Sequence, residues 1–303
     1  MISASGLTKQ YGAVRAVDDL SFDAKPGVVT GFLGPNGAGK TTTMRMILGL
    51  DRPTAGHVTV NGRPYRGASA PMREVGALID PTALQTGRTA RQHLRWLAEA
   101  GAMSGARVAE VLDEVELGHA ADRRISGFSL GMCQRLGLAA ALLGDPATLI
   151  LDEPANGLDP AGIRWMRDLL RMLAAEGRTV FVSSHQLGEI QQTVDRVVVI
   201  DRGRLVVAVD IDDVGAETER VTVRTPQSQA LLAVLREHGI TVDEPSSGAG
   251  SLIVIGVPAA TIGDIAAEQG IPLHELSRPE ASLENVFLSL TKREDVADGE
   301  GRS

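Results

Sequence analysis

Short apolar runs, bounded by polar or glycine-rich turns, recur through the first two hundred residues. Residues 28–33, 148–151, 179–182 and 196–200 are of this kind, and 75–79 adds another. Runs that are apolar on both faces predict strands buried inside a parallel sheet. A glycine-rich turn follows the first run, and a helix is predicted over 41–50. Between about 85 and 145 the apolar period becomes helical, predicting helices over 92–100, 107–115 and 129–143. That block reads as a helical subdomain inserted into an α/β core.

The tail has its own rhythm. It predicts a strand over 220–224, a helix over 228–238, extended chain over 240–242 and a strand over 252–257. A helix over 259–269, a strand over 271–276 and a short helix over 283–290 follow, with a frayed end over 295–303. The β-α-β-β-α-β order suggests a small ferredoxin-like α+β domain. Asp201-Arg202-Gly203-Arg204 reads as a hairpin turn, and the polar, acidic stretch 210–219 reads as a linker. The expected domains are therefore 1–210 and 211–303.

Charge sharpens this division. The 303 residues carry a net −8, which separates into +2 for residues 1–205 and −10 for the remainder. An acidic chain argues against a nonspecific nucleic-acid binder. A single cysteine, Cys133, excludes an internal disulfide framework and suits a reducing compartment. The longest apolar run, 136–144, has nine residues, where a membrane span needs roughly 20. The N-terminus carries no basic region followed by an apolar stretch. A cytoplasmic protein is expected, with any membrane role supplied through a partner.

Chemistry enters at the first glycine-rich turn. Gly34-Pro35-Asn36-Gly37-Ala38-Gly39-Lys40-Thr41 matches the phosphate-loop pattern G-x-x-x-x-G-K-[ST] without a mismatch. Glycines let the backbone wrap a triphosphate and turn its N–H groups inward. The following helix adds its positive dipole end. Lys40 is expected to reach the β- and γ-phosphates, the Thr41 hydroxyl to ligate Mg²⁺, and Thr42 to bond a phosphate. Leu149-Ile150-Leu151-Asp152-Glu153 is an apolar strand ending in two carboxylates. Asp152 is the expected metal-side carboxylate, acting through water. Glu153, one residue further, is the expected general base toward the attacking water.

These motifs, with three more in order, make residues 2–210 resemble an ATP-binding-cassette ATPase, the nucleotide-binding subunit of an ABC transporter. Phe128-Ser129-Leu130-Gly131-Met132, followed by Gln134-Arg135, resembles the family's signature motif. Gly157-Leu158-Asp159 resembles its D-loop, and His185, in Ser183-Ser184-His185, its switch histidine. The resemblance implies a P-loop fold with a RecA-like core, an antiparallel β subdomain and the inserted helical subdomain. It also implies that two cassettes close head to tail over two ATP, through two copies of this chain or a related partner. Ser129 and Gly131 would then meet the partner's nucleotide, Asp159 would link the sites, and His185 would contact the γ-phosphate. Tyr11 matches the adenine-stacking position.

Two departures stand out. Leu130 and Met132 replace small or polar signature positions. Asp80-Pro81 stands where the family has a glutamine, with Gln85 a few residues on. Asp80 can accept a hydrogen bond from a Mg²⁺-bound water but cannot donate as glutamine does. The signature spelling, Asp80 and the tail resemble multidrug or antibiotic-export cassettes of the daunorubicin-resistance type. The expected function is an ATP-hydrolysing subunit that powers export through a separate permease, peripheral on the inner face of the membrane. The alternative is a soluble relative acting on ribosomes or other macromolecules. Arg88, Arg91 and Arg95, at helical spacing, either face acidic groups on a membrane partner or form a solvated face. The remaining histidines show no metal-ligand spacing.

Overall fold

The computed structural model describes residues 1–80, 83–185, 192–211, 213, 220–243 and 251–277. The chain divides into two compact units, Met1–Val209 and Asp210–Ser303.

The first unit is built on two sheets. β1 (Ile2–Tyr11), β2 (Val14–Ala24) and β4 (Ala55–Val60) form an antiparallel sheet in the order β2-β1-β4. β3 (Val29–Leu33), β5 (Val75–Leu78), β6 (Thr148–Leu151), β7 (Thr179–Ser184), β8 (Arg196–Asp201) and β9 (Arg204–Asp210) form the second, in the order β5-β6-β7-β3-β8-β9. β5, β6, β7, β3 and β8 run parallel. β3 and β6 are buried along their whole length, as their continuous apolar sequences require. Phe22 on β2 stacks at 5.4 Å on Phe32 of β3 and at 5.4 Å on Phe181 of β7, so an aromatic cluster joins the two sheets.

α1 (Lys40–Ile47) leaves the end of β3 through the phosphate-loop segment. It stops short of the helix predicted to residue 50. Gly49 takes a left-handed φ of 64°, and its N–H turns back to the Met46 carbonyl. α2 is a single turn, Pro71–Glu74. The helical block holds α3 (Ala90–Ala100), α4 (Ala106–Glu114) and α5 (Leu130–Leu142). Thr89 and Gln92 close a capping box at the start of α3. α6 (Pro160–Ala175) then precedes β7. At the β8–β9 turn, Arg202 and Gly203 both have positive φ, 46° and 82°, the backbone of a tight hairpin.

Among its described residues, the second unit holds a four-stranded antiparallel sheet with two helices. β10 (Arg220–Arg224), α7 (Ser228–Glu237), β11 (Thr241–Asp243), β12 (Ser251–Ile255), α8 (Ala259–Glu268) and β13 (Glu275–Ser277) follow one another, with strand order β11-β12-β10-β13. This is the ferredoxin-like split β-α-β arrangement. Val221, Val223, Leu231, Leu235, Leu252, Val254 and Ile262 fill its core. The last strand is shorter than the predicted 271–276 run: Ile271 is still in the turn that ends α8, its N–H bonded to the Ala266 carbonyl. The helix predicted over 283–290 and the end over 295–303 lie outside the described residues. No helix among the described residues is long and apolar enough to cross a membrane.

Candidate functional site

The site forms where β3, β6 and β7 end side by side. Gly34 follows β3, and its backbone lies so close to β8 that a Cβ would stand 2.3 Å from the Ile200 carbonyl oxygen. Gly39 caps α1 with φ 103°, and a Cβ there would stand 2.5 Å from the Ala16 carbonyl oxygen. Any side chain at either position would push the loop off its bed. The β8–β9 hairpin adds a strut: the Gly203 N–H bonds the Ala38 carbonyl at 3.0 Å, and its carbonyl takes the Asp18 N–H at 2.9 Å.

Ala16, Pro35, Asn36, Gly37, Gly39, Lys40, Thr41, Thr42, Asp152 and Glu153 line one open cleft of about 240 Å³. Lys40 is buried, and its ammonium donates to the Gly34 carbonyl at 2.6 Å and the Pro35 carbonyl at 3.3 Å. It stands 3.5 Å from a Glu153 carboxylate oxygen. The Thr41 hydroxyl donates to Asp152 Oδ2 at 2.6 Å. The other Asp152 oxygen accepts from the Ser183 hydroxyl on β7. That same Ser183 oxygen accepts the Glu153 N–H at 2.9 Å. Ser183 thus aligns both carboxylate residues.

Glu153 has a left-handed φ of 48°. In a non-glycine residue such a backbone costs roughly 1–3 kcal/mol and persists only where neighbours enforce it. Its carboxylate lies between Lys40 and His185, whose Nδ1 is 2.8 Å from Oε2. The cleft therefore carries a cation, a carboxylate held by two partners, and an aspartate bonded to a threonine hydroxyl. Thr41 and Asp152 offer hard oxygen donors, the kind that Mg²⁺ takes alongside phosphate oxygens.

The remaining sequence-selected residues stand outside that cleft. Tyr11, at the end of β1, is half exposed and donates to Asp51 Oδ2 at 3.1 Å. Arg45 Nε bonds the same Asp51 oxygen at 2.7 Å and holds that carboxyl below its usual range. The Tyr11 phenol is raised, first by desolvation and then by Asp51. Ser129 is the N-cap of α5 and accepts the Met132 N–H at 3.2 Å. Gly131 lies against the D-loop segment, where a Cβ would stand 3.1 Å from the Gly157 carbonyl oxygen. Asp159 caps α6, accepting the Gly162 N–H at 2.7 Å. Asp80, just past β5, is exposed, and its carbonyl accepts the Ala83 N–H at 3.3 Å.

Sequence reasoning passed over Ser183 as an aligning residue. Its signal was a hydroxyl at the end of an otherwise apolar strand. Cys133 is a half-buried free thiol whose pKa is raised by burial, the environment of an unreactive cysteine. Arg91 pairs with Asp122 at 2.9 Å, and Arg88 lies 4.9 Å from the Trp96 ring centroid.

A strand–loop–helix cradle beside a strand ending in Asp-Glu defines a P-loop nucleotide hydrolase. Residues 17–156 match the ABC transporter family, and residues 219–284 match a domain of unknown function. The bacitracin transport ATP-binding protein BcrA of Bacillus licheniformis is 37% identical over 296 residues, 96% of this chain and 97% of its own. The daunorubicin resistance ATP-binding protein DrrA3 of Streptomyces coeruleorubidus is 36% identical over 302 residues, 96% of this chain and 95% of its own. A dimeric ATP-binding cassette in a post-hydrolysis state with ADP and Pi superposes with a TM-score of 0.63 at 25% identity, over 70% of this chain and 99% of its own. The chain belongs to the ATP-binding subunits of ABC transporters and is an ATPase.

Proposed function

We propose that this ATPase works as a head-to-tail dimer of two copies that powers export of an antibiotic-like compound through a separate membrane permease. The observation that carries the reading is the Lys40–Glu153–His185 constellation beside the Thr41–Asp152 pair. Lys40 and backbone N–H groups of residues 36–42 would hold the β- and γ-phosphates of ATP. Thr41 and Asp152, the latter through water, would hold Mg²⁺, which when bound neutralises phosphate charge. Asp80 would accept a hydrogen bond from the metal's water shell. Glu153 accepts a proton from the attacking water. His185, hydrogen-bonded to that carboxylate, fixes its direction and would touch the γ-phosphate.

Tyr11 would stack on adenine, held by Asp51. Ser129 uses its oxygen as a cap acceptor, so its own proton can be donated to the partner copy's γ-phosphate. Asp159, as a cap, would hold the D-loop at the seam between copies. The antibiotic-type substrate is inferred from the named activities of BcrA and DrrA3, and a permease partner would keep the subunit at the inner face of the membrane.

The test is Glu153→Gln, which keeps the shape but removes the base. It is expected to bind MgATP and double in mass on size-exclusion chromatography, while Lys40→Ala stays monomeric. A Glu153→Gln variant that remains monomeric at saturating MgATP overturns the two-copy reading.

A further inference from the structure

Gln134 sits on α5, five residues after Ser129, and is 1% exposed. Its amide nitrogen donates twice, to the Glu153 carbonyl at 3.3 Å and to the Asn156 carbonyl at 3.1 Å. Those carbonyls belong to the first and last residues of one turn, which the Asn156 N–H closes onto the Glu153 carbonyl at 3.2 Å. The amide thus clips both ends of the turn that carries the base. Its own oxygen, Oε1, is buried and has no hydrogen-bond partner.

The two donated hydrogen bonds come with a cost. A buried, unpartnered amide oxygen costs free energy, and an apolar side chain of the same shape avoids that cost. The amide orientation is nonetheless dictated, because the reverse flip would set Oε1 against two carbonyl oxygens. What the donors achieve is local. They hold the backbone of Glu153, which is left-handed at φ 48°, so the direction of its carboxylate is tied to α5. The contact at the head of α5 reinforces the tie, since a Cβ on Gly157 would stand 2.3 Å from Leu130 Cδ2.

We infer that Gln134 is a positioning residue: it couples the helix that begins at Ser129 to the orientation of Glu153. The inference rests on the reading of Glu153 as base and of the Ser129 end as the partner-facing surface. A shift of α5 on closure over the partner's nucleotide then moves the base at the chain's own nucleotide. One amide so links the two sites through a single chain.

The experiment uses the full chain and steady-state MgATP turnover. Gln134→Met keeps length and apolar packing but removes both donors and the orphaned oxygen. kcat should fall about tenfold or more, as misplacing a reacting group does, with KM for MgATP within about twofold. The melting temperature should stay within about 3 °C of the parent. A kcat within about threefold of the parent overturns the inference. So does a fall in kcat matched by an equal loss of MgATP affinity and a lowered melting temperature, which marks a merely structural role. Should the Met variant not fold, Gln134→Leu is read by the same criteria. Glu153→Gln separates the two levels. If it keeps parental turnover, the reading of the base fails and the inference with it; if it is inactive while Gln134→Met keeps its kcat, only the inference fails.

Discussion

Single side chains decide the chemistry of the cleft, and each is held by a neighbour from another element. Asp152 owes its direction to Thr41 and Ser183, and Glu153 lies between Lys40 and His185. A buried titratable group elsewhere gives a pH test at this scale. His93, on α3, is 6% exposed, and its pKa is lowered from 6.5, first by burial and then by the Arg88 charge. A histidine whose folded value lies below its unfolded value stays neutral in the fold while the unfolded chain takes up the proton. Stability should therefore be level above pH 6.5 and fall as pH drops below it, until the folded value is reached. Thermal melts from pH 7.5 to 5 should show that fall, and His93→Leu should flatten it. An unchanged slope in the variant would remove His93 from the account.

At the scale of elements, the strands were easier to read than the segments that orient the site. Runs buried on both faces are mostly apolar, so β3, β6, β7 and β8 declare themselves within two residues of their ends. β1, β2 and β4 are harder to see, because a sheet exposed on one face mixes polar and apolar positions. α6 also escaped the periodicity reading, although Asp159-Pro160 is a start signal and Met166, Leu169, Leu170 and Leu173 form its buried stripe. Asp159→Ala removes the acceptor of the Gly162 N–H. It should cost about 1 kcal/mol and lower the melting temperature by about 2–4 °C, read by calorimetry. Greater loss in ATP-dependent dimerisation than in melting temperature would show that the cap also shapes the seam between copies.

Over the whole molecule, each unit has a hydrophobic core of its own among the described residues. One aromatic and aliphatic cluster runs from Ile2 to Ile200, and the other from Val221 to Ile271. All the motif residues fall within the first unit, Met1–Val209. A fragment of residues 1–209 should therefore fold and bind MgATP with an affinity within about threefold of the full chain, measured by fluorescent-nucleotide titration. A fragment that folds without binding would give the second unit a part in the site.

The sequence by itself determined the phosphate loop, the Asp-Glu strand end, the ferredoxin-like order of the tail and the family. These depend on local spacing and on apolar period, which are written in consecutive residues. The tertiary structure alone decided that Ser183 aligns Asp152 and Glu153, that Glu153 is left-handed, and that Gln134 reaches across from α5 to hold its turn. Those contacts join residues 19 to 31 positions apart. Hydrogen-bond partners at such separations are chosen by how sheets and helices pack, and a linear pattern of side chains does not encode that choice.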